Sequence, residues 1–134
     1  MSKLPTVARI LLGLIFFVFG LNGFLHFIPL PPPEGEGAKA MIAGFLASGY
    51  FMPVLAGTQT ISGALLLAGR FVPLALTLLA PVIVQILLFH AFLAPAPAAW
   101  PVPIIALVCE VFLAWAYRGS FAGILNPTAR PTAG

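Results

Sequence analysis

Long apolar runs alternate with short proline-rich interruptions along this chain. A bilayer core about 30 Å thick needs about 20 apolar residues per helix, and such runs occur at about Val7–Ile28, Met52–Ala68, Phe71–Leu93 and Trp100–Tyr117. Prolines mark the boundaries. Pro29 and Pro31 to Pro33 close the first run, Pro73 falls in the first turn of the third, Pro95 and Pro97 separate the third from the fourth, and Pro101 and Pro103 open the fourth. The pattern predicts an all-α fold, a four-transmembrane-helix bundle over residues 1–118 followed by a largely irregular cytoplasmic tail over 119–134. Pro81 lies inside the third run and is expected to kink it, either as a packing bend or by freeing a carbonyl that lines a cavity.

Between the first two runs, Ala38–Tyr50 has a helix-compatible composition, with Met41, Ile42, Phe45 and Leu46 apolar and Lys39 and Ser48 polar. A short interfacial helix in the first outer loop is expected, with Tyr50 and Trp100 as interfacial anchors. The other solution is one long tilted helix from Lys39 to Ala68, kinked at Pro53. The broken version is the one expected.

Composition agrees with the pattern: 61% of the 134 residues are hydrophobic and 7% charged, against about 25% charged in a soluble domain. A water-soluble surface cannot be built from such a chain. The formal charge of +3 is scattered and forms no basic cluster, which argues against nucleic acid as a partner. Cys109 is the only cysteine, so neither an internal disulfide nor a CxxC relay can form.

Lys3 and Arg9 precede the first run as in a signal peptide, but that run continues to Ile28 with no A-x-A-like site after it, so an uncleaved first span is expected. Lys3, Arg9, Arg70, Arg118 and Arg130 all fall on one side of the four spans, opposite Glu34, Glu36 and Lys39. The positive-inside rule then predicts a multi-pass inner-membrane protein with both termini in the cytoplasm and the lipid bilayer as its first partner.

Polar side chains within apolar spans are costly and are expected to face inward. At 1.5 Å per residue from the cytoplasmic boundary, Glu110 lies at about 12 Å, Gln59 at about 15 Å and Gln85 at about 21 Å. These three are the candidate ligand-binding residues. Glu110 is expected in its neutral acid form, hydrogen-bonded to Gln59 or another amide. Ala106 and Ala114 flank Glu110, and Ala56 and Gly63 flank Gln59, at spacings that allow close packing. Such a layer acts either as an interhelical clamp, at about 0.6 kcal/mol per hydrogen bond, or as a ligand, quinone or proton site.

Asn22, His26 and His90 fall near the outer ends of their spans and are the candidate polar residues of an outer mouth. No H-x-x-x-H spacing accompanies the histidines, so no metal site is assigned. Adjacent helical positions point about 100° apart, so Cys109 is expected to be an inert buried thiol rather than a partner of Glu110. There is no phosphate-binding glycine loop, nucleophile elbow or paired catalytic carboxylate, so no catalytic residue is assigned.

The segments Arg9–Pro29 (RILLGLIFFVFGLNGFLHFIP), Gly44–Pro53 (GFLASGYFMP) and Gly69–Pro95 (GRFVPLALTLLAPVIVQILLFHAFLAP) closely resemble the DoxX family of small four-helix membrane proteins, nearly over the whole chain. At Gln59 and Gln85 this chain has amides where the family pattern has an acid and an asparagine, keeping hydrogen bonding without an ionisable group. Members are linked with quinone-dependent sulfur oxidation and membrane oxidoreductase complexes, and eukaryotic relatives include assembly factors. The resemblance implies a non-catalytic accessory or scaffold subunit among membrane oxidoreductase subunits. Two other readings stay open: an intramembrane binding protein for a quinone or other hydrophobic ligand, and a proton-coupled small-solute transporter acting as a homodimer.

Overall fold

A computed structural model describes residues 3–29, 33–93 and 99–132, and these are helical with no strand among them. The elements are α1 (Leu4–Leu25), α2 (Glu36–Ser48), α3 (Phe51–Ala68), α4 (Val72–Phe92), α5 (Pro101–Ala116) and the single turn α6 (Arg118–Phe121). Pro95 and Pro97 lie outside the described residues, so the expected break between the third and fourth runs is seen only from its two sides.

The start and stop signals are local. Prolines in the first turn open α1, α4 and α5, where a missing N–H has no helical partner to lose. Helix α3 stops at Gly69, whose φ of +72° suits a residue without Cβ; its N–H reaches Leu66 O at 3.2 Å and the Arg70 N–H reaches Leu65 O at 3.1 Å. Phe71 follows at φ +53°, and α4 begins at the next residue.

Helix α1 ends at Leu25, short of the Ile28 expected from hydropathy. The Asn22 carboxamide accounts for this, because its Oδ1 accepts the Ile28 N–H at 2.7 Å and its Nδ2 donates to Ile28 O at 3.2 Å. That clasp folds the chain back over the last turn of α1, and His26 takes up the change of direction at φ +51°.

The break between α2 and α3 is likewise chemical. Gly49 adopts φ +78°, and the Ser48 hydroxyl donates to Phe45 O while accepting the Phe51 N–H, so the chain does not continue as one helix from Lys39 to Ala68. Phe45 and Phe51 stack across the corner with ring centroids 3.9 Å apart. Helix α4 runs without interruption through Pro81.

The helices α1, α3, α4 and α5 form a closed ring of contacts, α1 against α3 and α5 and α4 against the same two, with α2 leaning on α3. Leu12 and Phe16 of α1, Leu66 of α3, Leu76 and Leu79 of α4 and Leu113 of α5 fill the centre. Three helices, α1, α3 and α4, are long and apolar enough to cross a membrane, whereas α5 is apolar but has 16 residues, a length of about 24 Å. Only 22 to 28% of the most apolar stretch of each long helix is buried inside the chain. The rest of those faces is apolar surface for lipid or other protein to cover.

Candidate functional site

Helices α1 and α3 approach closely enough to bring backbone against backbone. A Cβ on Gly63 would lie 2.8 Å from both Gly13 O and Phe17 Cα, and one on Gly20 would lie 2.6 Å from the Thr60 nitrogen. Small residues are what permit this proximity, as in tightly packed membrane helices. Arg9 stands on the same stripe of α1 as Gly13, Phe16 and Gly20, and its guanidinium donates to Leu66 O and Leu67 O at the end of α3. A cation there satisfies terminal carbonyls and complements the helix dipole. Orientation reasoning treats Arg9 as a loop charge; its place on the glycine stripe is the signal that reveals the clasp.

Glu110 is buried in α5, with 9% of its surface exposed, and its Oε1 has no hydrogen-bond partner among the described residues. The bond expected between Glu110 and Gln59 or another amide is therefore not formed at that oxygen. A second orphan lies in α3: Ser62 is fully buried and its Oγ is also unpartnered among the described residues. Thr58, Thr60 and Thr77 return their hydroxyls to a carbonyl four residues earlier, at 2.7 to 2.9 Å, so Ser62 departs from the local habit. Ser62 and Glu110 each lie six residues before the last residue of their helices, Ala68 and Ala116, or about 9 Å along the axis. Sequence inspection overlooked Ser62 because a small hydroxyl among alanines and glycines carries no hydropathy signal.

Gln59 is half-buried, one turn from Ser62. Gln85 differs from both: it is exposed on the outer face of α4, thirteen residues from Val72, about 20 Å along the helix. Its amide makes no hydrogen bond among the described residues, and it borders an open groove of about 240 Å³ lined also by Met41, Leu88, Phe89, Phe92 and Leu93. The structure thus separates Gln85 from Glu110 by face as well as by height.

The outer-mouth candidates also go different ways. Asn22 is buried and engaged with Ile28, His26 is exposed, and His90 points its Nδ1 at Ile86 O, 2.8 Å away, with its ring 5.9 Å from that of Trp100. No hydrogen bond or ring contact joins His26 to His90 among the described residues, where no group of three metal-ligating side chains converges. Cys109 is buried in the core cluster.

Comparison of the chain with protein-family models, curated proteins and solved structures returns no match.

Proposed function

We propose that this chain is a DoxX-like multi-pass protein of the inner membrane that serves as a non-catalytic accessory or scaffold subunit of a redox-linked membrane complex. In this reading α1, α3 and α4 span the bilayer, α5 with the abutting turn α6 supplies a fourth, shorter span, and α2 lies at the outer interface. Both termini are cytoplasmic. Arg9 binds the end of α3 beside Arg70, which supports grouping the cations on one side.

One observation carries the proposal. Gln85 is exposed on the outward face of a long apolar helix, with no hydrogen bond from its amide among the described residues, about 10 Å from the outer end of α4. Hydrocarbon offers such a group no hydrogen bond, so burial against lipid alone is unfavourable. A neighbouring membrane helix that presents a hydrogen-bonding side chain at the same depth would satisfy it, and the adjoining groove would receive that helix's apolar side chains.

The test is affinity isolation of the full chain from native membranes in lipid-preserving particles. A stoichiometric membrane partner is expected with the natural chain and is lost with Gln85→Leu. Recovery of the same single copy of the chain from both preparations contradicts the proposal.

A second reading has its own observation. The orphan atoms Ser62 Oγ and Glu110 Oε1 are polar groups of the kind that anchor one end of a hydrophobic ligand such as a quinone. Binding of a quinone analogue that weakens on Ser62→Ala would favour it, and equal binding to both chains would count against it.

A further inference from the structure

We infer that the corner where α1 begins and α3 turns into α4 binds the headgroup phosphate of an anionic phospholipid, with Arg9 and Arg70 as its two cationic ligands. The inference rests on the reading of the chain as membrane-spanning and adds a lipid class that one end of the bundle selects.

Charge supplies the argument. The sequence holds three acids: Glu34 and Glu36 follow the far end of α1, and Glu110 lies inside α5. Lys3, Arg9 and Arg70 stand where α1 begins and α3 ends, and no ion pair joins them to a carboxylate among the described residues. Cations held near one another repel, and an anion brought from outside the chain relieves that repulsion.

Arg9 is half-buried and fixed. Its Nη1 donates to Leu66 O and Leu67 O, while Nη2 and Nε make no hydrogen bond among the described residues. A Cβ at Gly69 would lie 3.0 Å from Nη1 and 3.6 Å from Nη2, so the missing side chain lets the guanidinium rest against the residue before Arg70. Arg70 is exposed; its backbone N–H is tied to Leu65 O, and its guanidinium has no partner among the described residues. A guanidinium presents a planar fork of N–H donors that matches phosphate oxygens. Arg118, by contrast, is already engaged: its Nη1 donates to Trp115 O at 2.9 Å, and its guanidinium carbon lies 4.5 Å from the centre of the Trp115 ring.

The surroundings of the two arginines favour a lipid as the occupant. Arg9 grips the last turn of α3, at the boundary where headgroups meet hydrocarbon. Along α3 from that turn, Ala68, Ala64 and Ile61 recur at spacings of four and three on an exposed apolar strip. One molecule with a phosphate and an acyl chain meets both the cations and the strip, whereas an acidic protein segment or a free phosphate meets the cations alone. A zwitterionic headgroup would add a further cation to a corner that has no acid.

The test is the thermal midpoint of the full chain in a neutral detergent, titrated with phosphatidylglycerol, phosphatidylcholine or inorganic phosphate. Phosphatidylglycerol is expected to raise the midpoint and the other two to leave it in place. Arg70→Gln, which removes no contact among the described residues, should weaken the apparent affinity for phosphatidylglycerol about tenfold. Arg118→Gln, the same change of charge, should weaken it by less than about twofold. Equal weakening by the two variants means unspecific attraction and overturns the inference, as does an equal rise with phosphatidylcholine. A rise of the same size with inorganic phosphate assigns the cations to a free anion and overturns the lipid. Flotation with phosphatidylcholine vesicles reads the membrane-spanning premise separately: a chain that floats without preferring phosphatidylglycerol keeps the premise and loses the site, and a chain that does not float loses both.

Discussion

The α1–α3 seam and the outward face of α4 use small and polar residues to opposite ends. Along the seam, glycines remove side chains so that two backbones meet, and the one cation present, Arg9, spends its donors on carbonyls of the neighbouring helix. Along α4, Thr77, Pro81 and Gln85 lie open, and the Gln85 amide has no hydrogen bond among the described residues. The difference shows that polarity within an apolar helix does not by itself mark an interior. One region is closed by the chain itself, and the other, on the function proposed above, is completed from outside it.

The comparison breaks most sharply at Gly63. A side chain there meets backbone atoms of α1 that cannot step aside, so Gly63→Leu should cost about 3 kcal/mol or more, read as a lower thermal midpoint in lipid particles. Gly57→Leu on the same helix is the control, since a Cβ there has only Phe24 Cζ at 3.9 Å. Arg9→Met removes donors from the end of α3 and should cost about 2 kcal/mol, with faster hydrogen exchange at Gly69 and Arg70. Asn22→Ala releases Ile28 and should cost about 1 to 2 kcal/mol, seen as exchange confined to the segment after α1.

Smaller effects sharpen the other side. Ser62→Ala removes a buried hydroxyl with no partner among the described residues, so stability should rise by less than about 1 kcal/mol; a loss of more than that would reveal a bond to Ser62. Gln85→Leu should shift bundle stability by no more than about 0.5 kcal/mol while abolishing lateral assembly. That last pairing separates a docking residue from a structural one.

Hydropathy and proline spacing made the helical architecture legible, because apolar run length and missing N–H groups act locally. A break between α2 and α3 was expected, but not its place at Gly49, where a residue without Cβ takes φ +78° readily. The early end of α1 was not, since it depends on where the Asn22 carboxamide finds Ile28. Depth counting put Glu110, Gln59 and Gln85 near one layer but could not tell an inward face from an outward one on α4, where apolar residues surround the helix on every side. Arg9 and Ser62 escaped for the same reason: their roles are set by a neighbouring helix.

The most direct test of the contrast is a photo-crosslinking scan in native membranes, with a photoreactive side chain placed in turn at Gln85, Leu88, Ile61 and Val108. Ile61 and Val108, each 60% exposed on α3 and α5, represent faces without an unsatisfied side chain. The account predicts protein adducts at 88, adducts at 85 weakened by loss of the amide, and lipid adducts alone at 61 and 108. Lipid adducts alone at 85 and 88, or protein adducts equally at all four positions, would contradict it.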